Sequence, residues 1–460
     1  MAHTHDASGK MIPITKVIPT AIATPISDVA GNMMKKMANF QKWAVGFLNV
    51  YTCIIFVIIL VFIIMYYLQQ LDKEEGNIKV MNDVFNDDKG FKPRIIGLDM
   101  NQIVKKDSPN KEKYGEVPIR DFFVMGSYNS CAGGDTWQDW VDINVLRKVI
   151  SLGVRSLDFE IYMKDGECVV AVGPEAEKGK FVLKGSYNAI LLESVFNTIN
   201  TYAFSARTCP NPEDPLFINL RIKSNKPIVY EKIAESILKE IEPKNRINWF
   251  DGDATKMVGH INENIKYSVY SNLYKRYDNT HWDSENIIDK PMNFIKGKAV
   301  FICNDIATNS FWGEWNDNYF GKNKNQYLFM ACINISNVIG NCLPLRSFDV
   351  VYTHNPKALK KDLKRTIGLS LPDVSTTGRN PKWIIHSKYG CQFTLMNFSN
   401  VDGELISYIK NFDTAKKALI VKPKHLRFFP IPLKKPKVQK KEYSYGIRKC
   451  NPKAAFMQCV

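Results

Sequence analysis

The longest uninterrupted apolar pattern lies near the start of the chain. No charged residue occurs between Lys42 and Asp72, and Ala44 to Leu68 consists almost wholly of aliphatic and aromatic residues. About 20 apolar residues suffice for a helix to cross the hydrocarbon core of a bilayer. The pattern therefore predicts one transmembrane helix over residues 43–71, because a core helix of this length would need an apolar shell on all sides.

A second pattern, short β-branched runs that alternate with amphipathic segments, extends over residues 117–427. Val145 to Leu152 has helical periodicity, whereas the residues that follow are typical of a strand and a tight turn at Asp165. This alternation indicates an α/β fold, and strands in this number fit a closed TIM-like (β/α)8 barrel. The predicted strands are Phe122 to Met125, Ser156 to Met163, Cys168 to Val172, Leu216 to Lys223, Ala299 to Cys303, Phe348 to Thr353, Cys391 to Asn397 and Ala418 to Val421.

The remaining segments differ from the barrel in composition. Residues 1–42 carry Thr, Pro and Ala with few large apolar residues, which predicts a disordered tail. Residues 72–116 are charge-rich and are expected to form a stalk or an entry segment that packs on the barrel. Residues 428–460 are basic and punctuated by proline, so they are predicted to be extended, either as a solvated tail or as a ligand for anionic lipid.

Charges beside the apolar run predict its orientation. Lys35, Lys36 and Lys42 precede it, whereas an acidic mixture that begins at Asp72 follows it. Because positive residues tend to stay on the cytoplasmic side, we expect a cytoplasmic N-terminus and a translocated C-terminal domain.

Composition adds two constraints. The chain of 460 residues is 45% hydrophobic and 23% charged, which is typical of a globular protein. Its 10 cysteines contain no CxxC pair, so neither a zinc site nor a disulfide scaffold is indicated. The bias toward Lys, Asn, Ile, Phe and Tyr is typical of an AT-rich genome, and a viral or host internal membrane is one setting that would fit it.

Two carboxylates on the second predicted strand are the first candidates for chemistry. Asp158 and Glu160 are two residues apart, so both side chains leave the same face of the strand. Such a pair is typical of a metal site, of an acid/base pair or of a solvated sheet edge. In a TIM-like barrel the catalytic groups lie at the carboxyl ends of the strands, where Asn129 and Arg221 are also expected.

The motifs around these residues resemble the catalytic barrel of the phosphoinositide-specific phospholipases C. The family's SHNT, GCRCIELD and VxYHG motifs align with SYNS from Ser127, GVRSLDFE from Gly153 and VVAVG from Val169. Further similar segments begin at Pro215 (PLFINLR), Ile295 (IKGKAVFI), Gly390 (GCQFTLMNF) and Ala418 (ALIVKP). The resemblance implies a barrel over residues 117–427, with a first half at 117–305, a linker at 306–345 and a second half at 346–427.

For activity, the resemblance implies a mechanism whose proton carriers are missing here. In the family the inositol 2-hydroxyl attacks the phosphodiester while two histidines act as general base and general acid. Those histidine positions are Tyr128 and Val172 in this chain. Tyrosine titrates near pH 10 and valine has no proton to transfer, so at least one of the two proton transfers has no agent.

The family's calcium ligands are half retained. Asn129 stands at the family's Asn, and Asp158 and Glu160 stand at its Glu and Asp in exchanged order. The fourth ligand position is Arg221, whose guanidinium offers donors where calcium needs acceptors. We therefore predict that Arg221 lies within salt-bridge distance of a carboxylate, that it replaces the metal, and that no cofactor binds there.

The resemblance also identifies residues on the substrate side. The family's inositol-contacting arginine falls at Lys361, and its serine pair is kept in kind as Thr376 and Thr377. These three residues are the candidate phosphate or lipid contacts. The family's phosphate-binding lysines, in contrast, fall at Ile302 and Asn304, which cannot supply a positive charge.

Two functions from different classes follow. The first is a single-pass membrane-anchored, phospholipase-C-like protein without catalysis, which acts as a lipid-apposed binding or structural module. Its expected partners are the membrane through residues 44–68, anionic phospholipid and other structural proteins, without nucleic acid. The alternative is an active, calcium-dependent phosphoric diester hydrolase that acts on phosphoinositides or related phospholipids. Its acid and base would come from Tyr128, Glu160, His354 or His386.

Overall fold

The structure is a computed structural model that describes most of the barrel region and part of the N-terminal region. The described residues are 3–5, 11–13, 26–46, 50–86, 91–104, 111–134, 139–173, 185–224, 227–241, 244, 287–303, 332–334, 342–373 and 378–429. The chain divides into two compact units, Met1–Glu75 and Gly76–Val460. The predicted extended tail at 428–460 lies almost wholly outside the described residues.

The first unit contains more regular structure than its composition predicts. Strands β1 (His3–His5) and β2 (Met11–Pro13) pair in antiparallel fashion, and helix α1 (Ile26–Gly46) follows. The expectation of a disordered tail over 1–42 is therefore wrong for the residues in α1. Helical periodicity in this segment outweighs the Thr and Pro content of the residues before it.

Helix α2 (Val50–Val84) contains the apolar run and starts within the first unit. By length and composition, Thr52–Val84 is long and apolar enough to cross a membrane, and its apolar window is not buried by protein. The helix continues well beyond the predicted end at residue 71, since its charged second half has no helix-breaking proline. Whether this helix spans a membrane remains a prediction.

The second unit is built on a sheet in which consecutive parallel strands are neighbours. The parallel strands are β3 (Phe122–Ser127), β4 (Ser156–Lys164), β7 (Leu216–Ile222), β8 (Ala299–Cys303), β9 (Cys332–Asn334), β10 (Cys342–Arg346), β11 (Ile367–Leu371) and β12 (Phe393–Met396). Each of them except β9 pairs with the next one in the chain, and β12 also pairs with β3. The pairing of the last strand with the first is what a closed barrel requires. A pair between β9 and β10 is not found among the described residues, so barrel closure remains a prediction.

Three further strands extend this sheet in antiparallel pairing. Strand β5 (Glu167–Ala171) forms a hairpin with β4, β6 (Ile190–Leu191) pairs with β5, and β13 (Leu419–Val421) pairs with β3. The predicted strands at Cys168 to Val172 and Ala418 to Val421 are thus strands in the structure, but they pair in antiparallel fashion with β4 and β3.

Helices alternate with the parallel strands and start at recognisable caps. The helices of this unit are α3 (Ile143–Ser151), α4 (Leu192–Tyr202), α5 (Pro227–Glu240), α6 (Ser347–Val351), α7 (Pro356–Arg365), α8 (Trp383–Tyr389) and α9 (Gly403–Ala415). The side chains of Asp142, Asn355 and Asp402 each accept a hydrogen bond from a backbone N–H in the first turn of α3, α7 and α9. These caps satisfy donors that have no partner inside a helix.

Apolar runs in the strands form the core on both faces of the sheet. All residues of β3, β7 and β8 are buried, as expected for parallel strands covered on both sides. Phe217 of β7 and Phe393 of β12 meet edge to face, with ring centroids 4.9 Å apart. This contact packs the amino-terminal part of β7 against that of β12.

One predicted strand is wrong. Most of the aromatic and β-branched run from Phe348 to Thr353 lies in helix α6, which ends at Val351. The strand lies just before this helix at Cys342–Arg346, at the end of the predicted linker. Asp349 causes the difference, because its Oδ2 accepts a hydrogen bond from the Arg346 backbone N–H at 2.8 Å and caps a helix start. Strands β9 and β11 were not predicted.

Candidate functional site

Polar side chains from three neighbouring parallel strands meet toward the carboxyl ends of those strands. Asn129 follows β3, Asp158 and Glu160 lie on β4, and Arg221 lies on β7. The parallel register of β4 and β7 places Glu160 opposite Arg221 and Asp158 opposite Asn219. Side chains two residues apart share a face, so this register directs the whole group to one side of the sheet.

The Arg221 guanidinium contacts all three other members of this group. Its Nε donates to Asp158 Oδ1 at 3.0 Å, and its Nη2 donates to Asp158 Oδ2 at 2.7 Å. Its Nη1 donates to Glu160 Oε1 at 2.6 Å, and Nη2 also donates to Asn129 Oδ1. The guanidinium is thus bonded to the three side chains that the resemblance assigns to calcium. We refer to Asn129, Asp158, Glu160 and Arg221 as the mouth cluster.

Protein donors occupy the carboxylate oxygens on their other sides as well. Asp158 Oδ2 accepts from the Asn129 backbone N–H at 3.0 Å, and Asp158 Oδ1 accepts from Asn219 Nδ2 at 2.5 Å. Glu160 Oε2 accepts from the Tyr162 hydroxyl at 2.7 Å and from the Gly173 N–H at 3.1 Å. Every carboxylate oxygen of the mouth cluster therefore has at least one donor from the protein.

Backbone geometry helps to place Asn129. Its φ of 43° lies in the left-handed region, which asparagine tolerates better than most residues. This conformation turns the chain after β3, so that the Asn129 N–H points at Asp158 while the side-chain oxygen accepts from Arg221. One residue thus binds the carboxylate with its backbone and the guanidinium with its side chain.

Because the mouth cluster is buried, each of its charges is stabilised by the neighbouring charges and not by water. Asp158 and Glu160 are 0% exposed and Arg221 is 6% exposed. Burial alone would lower the pKa of Arg221, but Asp158 and Glu160 raise that pKa well above its ordinary value. Arg221 is therefore a permanent cation, and the mouth cluster is an ion pair network with little access to solvent.

The two positions that hold histidines in the family carry no proton-transfer group suited to neutral pH. Tyr128 is 7% exposed, and burial raises the pKa of its hydroxyl. The centre of the Arg221 guanidinium lies 4.5 Å from the Tyr128 ring centroid, in a cation–π contact. Val172 is buried directly after β5 and has only an aliphatic side chain. Tyr128 therefore packs against the cation as a neutral ring.

The residues present do not fit a calcium ion. Calcium takes six to eight oxygen ligands, whereas the carboxylates here face a guanidinium at hydrogen-bond distance. In the described part of the chain, no group of three or more His, Cys, Asp and Glu side chains could hold a metal ion. The arrangement can join three strands by charge-assisted hydrogen bonds, but it offers no vacant acceptor set to a cation.

The structure places three of the remaining predicted site residues in surroundings other than the mouth cluster. Lys361 is exposed on α7, and Thr376 and Thr377 lie outside the described residues. His386 is buried in α8, where its Nδ1 lies 2.9 Å from the Lys382 carbonyl oxygen, and burial lowers its pKa. His354 is exposed between α6 and α7.

Sequence reasoning missed the side chains that complete the mouth cluster. Asn219 and Lys223 lie two residues before and after Arg221, and Tyr162 lies two residues after Glu160. Burial lowers the pKa of Lys223, while Glu160 raises it, which places a second cation near this carboxylate. The period of two residues along a strand is the signal that could have identified all three.

Comparisons with known proteins concern the fold alone. No protein-family model and no curated protein sequence matches this chain. Among solved structures, L. pealei PLC21 matches with 13% identity and a TM-score of 0.48, over 68% of this chain and 38% of that chain. The phosphatidylinositol-specific phospholipase C from Listeria monocytogenes matches with 11% identity and a TM-score of 0.36, over 68% of this chain and 99% of that chain.

Proposed function

We propose that this protein is a single-pass membrane protein whose phospholipase-C-like barrel has lost catalysis and acts as a lipid-apposed binding or structural module. The observation that carries the proposal is the Arg221 guanidinium, which is bonded to Asn129, Asp158 and Glu160. A fixed cation in this place supports a structural role for residues that would otherwise hold a metal.

Chemistry at the mouth supports the same conclusion. Phosphodiester cleavage by the family's route needs a metal that neutralises developing charge and two groups that transfer protons. Here Arg221 uses the available acceptors, Tyr128 is a buried phenol with a raised pKa, and Val172 is aliphatic. Each lost acid or base lowers the rate by about a hundredfold or more, so little rate above background is expected.

The membrane part of the proposal is supported by helix α2. The segment Thr52–Val84 is long and apolar enough to cross a bilayer. An anchor of this kind would hold the second unit close to lipid headgroups. Its partner there would be anionic phospholipid or another membrane-bound structural protein, for example one of a virion. The closed barrel belongs to this proposal too, since the pairing of β12 with β3 is the link that a ring of strands requires.

A hydrolysis assay tests the loss of catalysis. The full chain in detergent is incubated with phosphatidylinositol and with lysophospholipid, each with calcium and with a chelator, and released phosphorylated headgroup is measured. We expect no release above the buffer control, while an active phospholipase C in the same micelles gives rapid release. Cleavage that disappears in Glu160→Gln would assign activity to this site and refute the proposal.

Carbonate extraction tests the anchor. The full chain should stay with the membrane pellet at alkaline pH, whereas a shortened chain that begins at Lys73 should move to the supernatant. Release of the full chain into the supernatant would contradict a membrane-spanning α2.

A further inference from the structure

Helix α1 has an apolar stripe that the proposed function does not use. Met33, Met37 and Phe40 are spaced i, i+4, i+7, so they lie on one face of the helix. They are 63%, 68% and 66% exposed, respectively. Large apolar side chains that line one helix face are normally covered by protein or lipid, so this stripe indicates an interaction surface.

The opposite face of the same helix is polar and basic. Lys35, Asn39 and Lys42 repeat the i, i+4, i+7 spacing two residues after the apolar stripe. Two residues correspond to about 200° of rotation at 3.6 residues per turn, so the two stripes face in opposite directions. An apolar face with lysines on the other side is the pattern of a helix that lies flat in the interface of an anionic membrane.

The position of α1 in the chain identifies a bilayer as the occupant. The helix ends at Gly46, and the apolar segment that we propose to be the anchor starts at Thr52. Six residues span at most about 20 Å when fully extended. If Thr52–Val84 crosses a bilayer, the end of α1 is therefore held within that distance of the point where the chain enters the lipid.

We propose that α1 lies along the membrane surface at the N-terminal end of the anchor, with its apolar stripe inserted among the lipids. Met33 and Met37 suit this place, because flexible thioether side chains adapt to irregular surroundings. Lys35 and Lys42 face the water and attract anionic headgroups over short distances. This inference rests on the proposed anchor, since it takes the bilayer from α2.

A depth measurement on the full chain tests the proposal. A fluorescent amino acid is incorporated at position 37 on the apolar stripe or, as the matched control, at position 39 on the polar face, and each chain is reconstituted in phosphatidylserine-containing vesicles. We expect lipids brominated on the acyl chains to quench the probe at 37 several-fold more than the probe at 39, and aqueous iodide to show the reverse order. Equal quenching at the two positions would overturn the proposal. So would a probe at 37 that both quenchers fail to reach, because a protein surface would then cover the stripe.

A third probe, at position 59 within the proposed anchor, separates the two claims. Quenching by brominated lipid at 59 but not at 37 would refute the surface position of α1 and leave the anchor intact. Absence of lipid quenching at 59 would refute the anchor itself. The proposal for α1 would then fall too, because it depends on a bilayer at that anchor.

The requirement for anionic lipid has its own test. With the probe at 37, replacing phosphatidylserine by phosphatidylcholine should reduce quenching by brominated lipid, and Lys35→Glu with Lys42→Glu should remove the difference between the two lipids. Asn39→Gln is the control and should retain it. Quenching at 37 that is the same in both lipids for the unmodified chain would refute the role of the lysines.

Discussion

Strand β3 is flanked by a buried charge cluster at each end, and the two clusters are built in opposite ways. At its carboxyl end, in the mouth cluster, one guanidinium is surrounded by acceptors from neighbouring strands. At its amino end, Asp121 is the carboxylate that is surrounded by cations. Arg427 Nε lies 3.2 Å from Asp121 Oδ2, and burial raises the pKa of Asp121 while Arg427, Arg120 and Lys422 oppose part of that rise. We call Asp121, Arg427, Glu112 and Lys422 the base cluster.

The two clusters also differ in their contact with water. Arg427 extends to Glu112, with Nη1 2.8 Å from Oε2, and the Glu112 side chain is 30% exposed. Among the described residues, no carboxylate of the mouth cluster reaches solvent in this way, since Asp158 and Glu160 are both fully buried. Loss of one charge at the base can be compensated by neighbouring cations or by solvent, whereas loss of Arg221 leaves two buried carboxylates whose repulsion Lys223 offsets only in part.

Under the proposed function, this difference describes how a site that holds a metal can become part of a protein's core. A metal site needs acceptors that stay available for the ion, and these acceptors are stable only when the ion binds. Arg221 supplies a covalently attached cation, so the same three strands are joined without a ligand. The following changes test this comparison, from the largest expected effect to the smallest.

Arg221→Met should give the largest loss of stability. Removing the guanidinium leaves Asp158 and Glu160 buried without the cation that is bonded to both of them, which should lower the free energy of unfolding by about 3–5 kcal/mol. Chemical denaturation of the full chain in detergent, followed by tryptophan fluorescence, measures the change. A loss as small as that of an exposed arginine variant such as Arg94→Met would mean that the mouth cluster is not held by its charges.

Arg221→Met combined with Glu160→Gln should recover part of that loss. The amide of Gln carries no charge, so the repulsion between two carboxylates disappears in the double variant. We expect a coupling energy of about 1–3 kcal/mol in a double-mutant cycle. The same cycle for Arg427→Met with Glu112→Gln serves as the control and should give less, because Glu112 is partly exposed.

Arg427→Met alone should have an intermediate effect of about 2 kcal/mol. It removes charge-assisted hydrogen bonds to Asp121 and Glu112, but Arg120 and Lys422 remain beside Asp121. The same denaturation experiment measures it. An effect equal to that of Arg221→Met would remove the contrast between the two ends of β3.

Lys422→Met should produce the smallest effect for a single unit of pH, and this effect is seen as a change with pH. Burial lowers the pKa of Lys422 to about 8 from an ordinary 10.5. Between these values the unfolded chain holds a proton that the folded chain has released, so folding becomes more favourable as pH rises through this window. Lys422→Met lacks this term, and its stability relative to the unmodified chain should fall by about 1 kcal/mol per pH unit across the window. A difference that does not change between pH 7 and 10 would contradict the assigned pKa.

Short-range patterns in the sequence indicate the residues of the mouth cluster, but they do not indicate the surroundings. Asp158 and Glu160 follow from the period of a strand, and Arg221 follows from an ordered set of motifs. The donors from Tyr162 and Gly173 depend on the β4–β5 hairpin and on register, which no local pattern specifies.

Errors in the predicted fold have local causes. The run at Phe348 has the residue types of a strand, but the cap from Asp349 starts a helix there. The composition of the N-terminal region as a whole does not indicate helix α1, because Thr, Pro and Ala before it dominate that composition. The spacing of Met33 and Met37 is helical and does indicate it. Strand β9 has only three residues, which is too short for a periodic pattern, and in β11 Gly368 and Ser370 interrupt the apolar run.

Calcium titration tests most directly the claim that Arg221 takes the place of the metal. The unmodified full chain in calcium-free detergent buffer at neutral pH is titrated with calcium in a calorimeter, with Glu160→Gln as the matched variant. The account predicts that the unmodified chain and the variant give the same heats as detergent buffer alone. Stoichiometric, saturable calcium binding by the unmodified chain that disappears in Glu160→Gln would contradict it.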